Sequence, residues 1–411
     1  LEGYQHLAGS SDERVLKLRT VAALIKLLHA PFRNGLPDWP QRIERTLQRA
    51  EQLAADVGIA SFAGVAQCQP AKEVSDPSGA AADSSMPFLA EALNPTAACR
   101  VLRDAVNDMS LGVGSIGQLN SIRVLRHKPG RRCLIEYSWQ LGEASQQSQA
   151  CLGKVRAKGL DRTTPALHEQ LRQSGLDERG EVVVPQPLRC VPQWRMWLQR
   201  KVTANPLDET QLAERGAALG RRIVNAIDAV HRAKVDSEKW HTIDDELRVL
   251  STRLQKLSSN RPALSSQIEN ILEGCQQLAG SRSPSTTCGI HRDFYQDHVL
   301  LHGAQTVLVD FDLYCMGDPA LDIGNFIGHL QELSLRTFGT TTHYAEVAAA
   351  MLEHFAELRG EAARHNAEIY TSLTLARHLE ISQRFADRAS ILPALLEVCS
   401  DRLGCASRSL G

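Results

Sequence analysis

The order in which strand-like and helix-like apolar patterns follow one another along the chain most constrains what it can fold into. Five short apolar runs typical of β-strands lie between residues 121 and 202, and the first two flank the turn sequence KPG. From residue 207 onward the apolar spacing is mostly that of amphipathic helices. Short strand-like runs return only at residues 286–291, 298–302 and 306–312. The sequence therefore predicts an α+β chain, with a small sheet-rich lobe followed by a larger helical lobe.

The bulk composition is that of an ordinary soluble globular protein. Hydrophobic residues make up 43% of the 411 positions and charged residues 23%, with a formal net charge of −1. This balance gives no reason to expect nucleic acid or an anionic membrane as a partner. No apolar run approaches the roughly 20 residues that span a bilayer.

The ten cysteines are scattered along the chain. They form neither Cys-x-x-Cys pairs nor a His/Cys cluster with zinc spacing. Cysteines distributed in this way are typical of reduced thiols and not of a disulfide framework. We therefore expect a cytoplasmic protein.

The two ends of the chain resemble each other. The segment LEGYQHLAG at residues 1–9 matches LEHFAELRG at residues 352–360, and identities continue at the same offset. Either two helical hairpins share a composition, or residues 1–57 are the helical tail of a preceding homologous domain in a tandem protein. The small and polar residues of 58–85 predict a flexible linker between the two parts.

Polar residues interrupt the returning strands and predict a reactive site. The segment HRDFYQDHVLL at residues 291–301 lies between two strand-like runs, and Asp310 and Asp312 follow the next run where it ends. Asp293 and Asp310 therefore lie on neighbouring connections of one short β-meander. Phosphoryl transfer from a magnesium nucleotide uses one carboxylate to receive a proton and another to hold the metal.

The segments GIHRDFYQDHVLL and VLVDFDLYCMGDPALDIGNF resemble the aminoglycoside phosphotransferase and choline kinase superfamily, whose fold is protein-kinase-like. The resemblance covers about residues 86–404 and is strong over 286–326. It implies a bilobal fold, with a small antiparallel-sheet N-lobe over 86–203 and a mostly helical C-lobe over 204–411. It also implies transfer of the γ-phosphate of ATP to a hydroxyl of a small molecule, such as an aminoglycoside, a sugar or an amino alcohol.

The resemblance implies roles for residues of the second lobe. Asp293 is expected to be the catalytic base and Asp310 the main metal ligand. His291 and Asp322 are expected to support the catalytic loop. The family usually has Asn where His298 stands, and imidazole suits softer ions than an amide oxygen does. His298 is therefore either a ligand of Mg²⁺ or Mn²⁺, or a residue that only packs against the loop.

The resemblance also implies a nucleotide-binding lysine in the first lobe. Lys154 in CLGKVR is expected to hold the α- and β-phosphates. Glu169 in ALHEQL is expected to fix the position of that lysine. Glu178 and Glu181 are the alternative partners for the lysine.

The segment MWLQRKVTANPL resembles the hinge between the two lobes. Its backbone from Gln199 through Arg200 to Val202 is expected to hydrogen-bond the adenine of ATP. Side-chain identity is expected to matter little at these positions.

The sequence departs from the glycine-rich loop that covers the phosphates in protein kinases. The turn between the first two strands is KPGRR, in which Gly130 is the one glycine. Gly130 lets the backbone approach a phosphate, and Lys128, Arg131 or Arg132 supplies positive charge. A basic hairpin turn in solvent is the competing interpretation.

Two other functions compete with an active kinase. His298 and the glycine-poor turn favour a catalytically impaired pseudokinase or a nucleotide-binding module. The terminal repeat favours a scaffold of tandem domains, with the preceding domain as a partner. The presence of Lys154, Asp293 and Asp310 favours an active enzyme that uses ATP and Mg²⁺.

Overall fold

A computed structural model gives the structure of the protein. It describes residues 13–27, 39–56, 71–109, 118–140 and 148–409. The strands are β1 Glu73–Ser75, β2 Gln118–Lys128, β3 Arg132–Gln140, β4 Ser148–Arg156, β5 Val182–Val183, β6 Pro187–Val191, β7 Met196–Arg200, β8 Asn205–Pro206, β9 Trp240–His241, β10 Cys288–Ile290, β11 Val299–His302, β12 Gln305–Leu308 and β13 Cys315–Gly317. The helices are α1 Glu13–Leu27, α2 Trp39–Asp56, α3 Phe88–Ala92, α4 Pro95–Met109, α5 Thr163–Gln173, α6 Glu209–Glu214, α7 Gly216–Arg232, α8 Ile243–Asn260, α9 Ser265–Gly280, α10 Ala320–Phe338, α11 Ala345–Arg359, α12 Glu361–Ser382 and α13 Leu392–Ser409.

The N-terminal part of the chain is helical, as its apolar spacing predicts. Helices α1 and α2 pack against each other through Val21 and Leu53, which are both buried. Residues 1–9, which carry the first copy of the repeat, lie outside the described residues. A preceding homologous domain therefore stays a prediction.

The small lobe is built on a six-stranded sheet with the order β1-β2-β3-β4-β7-β6. β1 pairs with β2 in parallel, and the other neighbouring strands are antiparallel. The large lobe is mostly helical, with two small sheets in the orders β10-β13-β9 and β5-β12-β11-β8. The predicted α+β fold of two lobes is confirmed.

The second half of the predicted linker is ordered and belongs to the small lobe. Residues 73–75 form β1, and Asp76 accepts hydrogen bonds from the amides of Ala80 and Ala81 at 2.8 and 2.9 Å. The linker prediction is therefore wrong for residues 71–85. Asp, Ser, Gly and Pro favour caps and tight turns as well as flexible linkers, so composition alone could not distinguish the two.

The two faces of the six-stranded sheet have different surroundings. One face carries Ile135 and Tyr137, which are fully buried in a core with α3 and α4. The Tyr137 hydroxyl donates to the Ala92 carbonyl at 3.0 Å. Side chains alternate across a strand, so Lys154 and its cross-strand neighbours lie on the opposite face, which we call the cleft face.

The start of α10 is held firmly in the core of the large lobe. A Cβ atom at Gly324 would lie 2.5 Å from the Ala367 carbonyl oxygen of α12. The absence of a side chain therefore lets the two helices approach closely. This packing positions Asp322, which lies in the first turn of α10.

The described cysteines are not all reduced. Cys99 in α4 is disulfide-bonded, so the expectation of reduced thiols is wrong at that position. None of the described helices is long and apolar enough to cross a membrane. The free cysteines are Cys133, Cys151, Cys190, Cys275, Cys288, Cys315 and Cys399.

Candidate active site

One β-hairpin brings the two predicted halves of the site together. β11 and β12 pair with Val299 opposite Leu308, and the Val309 amide donates to the His298 carbonyl at 3.1 Å. Residues at the open end of a hairpin are forced to be neighbours. As a result, Nε2 of His298 lies 3.6 Å from Oδ2 of Asp310.

A buried carboxylate supports the loop that precedes this hairpin. Asp322 is fully buried and accepts hydrogen bonds from the amides of His291 and Arg292 at 2.9 and 2.7 Å. Nε2 of His231 in α7 donates to the same carboxylate at 2.9 Å. These bonds hold Arg292 at a positive φ of 69°, which costs a non-glycine residue free energy. His291 and Asp322 therefore lie where loop support requires them.

The loop presents Asp293 to solvent beside His298. The Asp293 side chain is 43% exposed, and its backbone carbonyl accepts a hydrogen bond from Nδ1 of His298 at 2.6 Å. A carbonyl can only accept, so Nδ1 carries a hydrogen, and Nε2 is the ring nitrogen that faces Asp310. The imidazole nitrogen and the carboxylate form a mixed donor pair that suits a divalent ion.

This donor pair contains only two protein ligands. Within the described residues there is no group of three or more His, Cys, Asp and Glu side chains that could hold a metal ion. Metals that act on nucleotides are commonly held by one or two carboxylates, with phosphates and water as the other ligands. The residues present therefore fit a nucleotide-linked metal and not a closed structural site.

Lys154 reaches the same cluster from the small lobe. Its ammonium lies 3.2 Å from Oδ1 of Asp310 and 3.8 Å from Oδ1 of Asp312. It also lies 5.4 Å from the centre of the Trp197 ring. Arg156 pairs with the other oxygen of Asp312 at 2.7 Å. Asp312 thus contacts two cations of β4.

The local charges set the ionisation of the cluster. Burial by itself would raise the pKa of Asp310, but Lys154 and His298 outweigh it and hold that pKa well below its ordinary value. Burial and the neighbouring His298 lower the pKa of His291. Asp310 is therefore ionised at neutral pH, and His291 is a neutral ring that donates to the Val309 carbonyl at 2.9 Å.

The structure does not bring Glu169 to Lys154. Glu169 is exposed and accepts a hydrogen bond from Gln173 at 3.0 Å on the outer face of α5. The buried positions of α5 are Thr164, His168 and Leu171. Each residue turns a helix by about 100°, so the position after His168 points away from the sheet.

The alternative glutamates do not hold Lys154 either. Glu178 pairs with Arg172 at 2.6 Å, and Glu181 is exposed before β5. The carboxylates that hold the lysine come from the large lobe, and neither lies on α5. No local sequence spacing could have revealed this contact.

Two residues of the site were missed by sequence reasoning. His168 is fully buried, and its ring packs edge-on against Trp197 and Phe311 at 5.3 and 5.6 Å. Burial lowers the pKa of His168 to about 4, so the ring is neutral. Asn325 donates to the Phe294 carbonyl at 2.9 Å and fixes the loop from a second side. The i, i+4, i+7 spacing of buried residues in α5 was the available signal for His168.

The predicted hinge lies where β7 ends, but much of its backbone is already bonded. The Arg200 amide donates to the Gln186 carbonyl at 2.8 Å, and the Lys201 amide donates to the Ala150 carbonyl at 2.9 Å. The Arg200 amide is therefore not available to adenine, contrary to the prediction. Val202 follows these bonds and lines a cavity of about 600 Å³.

The side chain of Gln199 lies on the cleft face of the sheet. It pairs with Leu152 across β4 and β7, so both side chains lie on the cleft face. Gln199 is buried, and its Oε1 has no hydrogen-bond partner among the described residues. The prediction that side-chain identity matters little does not fit this environment.

The Gly130 amide is also occupied. It donates to Oδ2 of Asp83 at 2.8 Å, with Gly130 at a φ of 63°. The Gly130 amide is therefore not free to donate to a phosphate, contrary to the predicted backbone contact.

The sequence matches a known protein family over the described site. A model of the phosphotransferase enzyme family matches residues 155–366, just over half of the chain. The chain belongs to this phosphotransferase family. The matched range contains Asp293, Asp310 and Asp322, whereas Lys154 lies one residue before it. The family resemblance stated from the sequence is confirmed, and the protein is a phosphotransferase enzyme.

Several solved structures resemble this phosphotransferase. One is a choline/ethanolamine kinase family protein from Mesorhizobium loti, with 14% identity and a TM-score of 0.49 over 73% of this chain and 93% of that one. Another is a thermostable mutant of an aminoglycoside phosphotransferase, with 13% identity and a TM-score of 0.47 over 73% and 99%. A third is a choline kinase from Cryptosporidium parvum Iowa II, with 13% identity and a TM-score of 0.46 over 68% and 88%. No match was found among curated protein sequences.

Proposed function

We propose that this phosphotransferase is an ATP-dependent kinase that transfers the γ-phosphate to a hydroxyl of a small-molecule acceptor. The observation that carries the proposal is the meeting of three groups from distant parts of the chain. Lys154 contacts Asp310, and His298 connects Asp310 to the backbone of Asp293. This arrangement provides a phosphate-binding cation, a metal-binding carboxylate and an exposed base.

Asp293 acts as the general base. Its carboxylate accepts the proton of the acceptor hydroxyl while that oxygen attacks the γ-phosphorus, and ADP leaves with the bridging oxygen. Asp322 holds the loop through the amides of His291 and Arg292, so Asp293 is oriented before the acceptor binds. Lys154 holds the phosphates of the nucleotide once they displace Asp310 and Asp312 from its ammonium.

Asp310 and His298 would hold the divalent metal that accompanies ATP. When bound, the metal neutralises charge that develops on the β- and γ-phosphates. Nδ1 of His298 is committed to the Asp293 carbonyl, so Nε2 is the ring nitrogen that would bind the metal. A site with one imidazole and one carboxylate favours Mn²⁺ more than a site built from oxygen ligands alone.

Replacing His298 by Asn is expected to shift the metal preference of the enzyme. The amide retains a donor for the Asp293 carbonyl and offers a hard oxygen in place of the imidazole nitrogen. The ratio of kcat/KM with Mg²⁺ to that with Mn²⁺ should rise by about tenfold. Steady-state assays with each metal at saturating concentration measure this ratio.

His302→Asn is the matched control because it makes the same change at an exposed position of β11. It should leave the metal ratio at the wild-type value. An unchanged ratio in His298→Asn would show that His298 packs against the loop without contacting metal.

The direct test of the proposed function is acceptor-dependent ADP formation by the purified chain. A panel of sugars, amino alcohols and aminoglycosides would be assayed with Mg²⁺ and Mn²⁺ separately. Turnover with one acceptor class would establish the kinase and its substrate class. Tight ATP binding without turnover in either metal would favour a nucleotide-binding module instead.

A further inference from the structure

The β2–β3 turn cannot bind phosphate as a glycine-rich loop does. Such a loop uses free backbone amides that point at the phosphate oxygens. Here the Gly130 amide and Nε2 of His127 both contact Oδ2 of Asp83, at 2.8 and 2.9 Å. A Cβ atom at Gly130 would touch Ser85 at 3.5 Å. The turn therefore packs on residues 83–85, and phosphate recognition on this side has to come from side chains.

The strand register of the sheet places Arg126 of β2 in line with Lys154 of β4, with Leu134 of β3 between them. Arg126 lies opposite Leu134, and Leu134 lies opposite Lys154. Residues directly opposite each other in a ladder share a face, so Arg126 and Lys154 both lie on the cleft face. Two strand spacings separate their backbones by about 10 Å. Side chains of this length can therefore reach one triphosphate from its two sides.

Two other arginines of the cleft face are already paired with carboxylates. Arg123 pairs with the buried Glu136, and Arg156 pairs with Asp312 at 2.7 Å. Within the described ranges, no carboxylate lies within 4 Å of the Arg126 guanidinium. Arg126 is exposed, so its charge is available to an anion.

The electrostatics of the hairpin favour a bound anion. Burial lowers the pKa of Lys128, and the charges of Arg132, Arg126 and Arg131 lower it further. Four cations are therefore crowded in one hairpin, and their mutual repulsion would be relieved by a phosphate.

We propose that Arg126 binds the γ-phosphate of ATP and performs the task of the missing glycine-rich loop. The inference rests on the proposed kinase function and adds a specificity-determining residue to it. A guanidinium binds phosphate oxygens through two parallel hydrogen bonds, whereas an ammonium acts as a point charge. Lys154 then holds the inner phosphates, and Arg126 distinguishes a nucleoside triphosphate from a diphosphate.

The test compares binding of ADP and of the β,γ-imido analogue of ATP by calorimetry, with Mn²⁺ present. Arg126→Gln should weaken binding of the triphosphate analogue by about tenfold or more, because a charge-assisted hydrogen bond is lost. Its affinity for ADP should stay at the wild-type value. The affinity of Arg126→Lys for the triphosphate analogue should lie between those of the wild-type protein and Arg126→Gln. Lys72→Gln, which removes an exposed charge ahead of edge strand β1, should change neither affinity.

The possible outcomes separate this inference from the function on which it rests. If Arg126→Gln lost affinity equally for both nucleotides, or for neither, the proposed role of Arg126 would be wrong. The kinase proposal would not be affected by that result. A wild-type protein that binds neither nucleotide would overturn the kinase proposal and the role of Arg126 together. Thermal unfolding of each variant shows whether a loss of affinity reflects a loss of fold.

Discussion

Replacing Asp293 by Ala is expected to lower kcat by about a thousandfold, which is within the usual contribution of a positioned general base. ATP affinity should stay within about threefold of the wild-type value. The reason is that the Asp293 side chain is 43% exposed and the bond to His298 uses its backbone carbonyl. Removing the carboxylate therefore deletes the proton acceptor without disturbing the loop. Single-turnover transfer and calorimetric titration with ATP measure the two quantities separately.

Asp297→Ala is the matched control for this variant. Asp297 is an exposed carboxylate in the same loop, and it lies four residues after Asp293. Its removal should leave kcat within about twofold of wild type. Comparable decreases of kcat in both variants would indicate a general effect of the negative charge of the loop. Full activity in Asp293→Ala would exclude Asp293 as the base.

Replacing Asp322 by Ala is expected to destabilise the fold and to reduce activity together. The substitution leaves the amides of His291 and Arg292 and the ring of His231 without their buried acceptor. Loss of a fully buried charged acceptor should lower the free energy of unfolding by about 3 kcal/mol or more. Activity should fall by about a hundredfold because the loop loses its fixed geometry. Denaturant unfolding and steady-state kinetics on the same preparation measure both effects.

The conservative variant separates geometry from charge. Asp322→Asn keeps one carbonyl oxygen for the loop amides, so its losses should be smaller than those of Asp322→Ala. Glu353→Ala removes an exposed carboxylate from α11 and should change the free energy of unfolding by less than about 0.5 kcal/mol. Wild-type stability in Asp322→Ala would contradict the bracing role that we assign to this residue.

The features that were predictable from the sequence are those that depend on short-range pairing. The β11–β12 hairpin requires only a tight turn and two apolar runs, and it places His298 beside Asp310. The order of strand-like and helical patterns likewise predicted the two lobes. The bracing role of Asp322 was expected from the family resemblance, and the structure places this residue in the first turn of α10.

The predictions that differ from the structure depend on long-range packing. Glu169 was one helical position away from the inward-facing His168, and only the docking of α5 against the sheet decides which residue faces in. The partners of Lys154 come from the other lobe. The Gly130 amide donates to Asp83, which lies in a segment whose composition also suits a linker.

The sequence by itself determined the order of the lobes, the β11–β12 hairpin and the family, because alternation, turn chemistry and motif spacing act over a few residues. Tertiary structure alone decided which carboxylates meet Lys154, which amides are already bonded and which arginines share the face of Lys154. These outcomes depend on strand register and helix rotation. A shift of one residue in a strand would exchange its two faces, and in a helix it would turn the faces by about 100°. Many distant contacts together select the arrangement that forms.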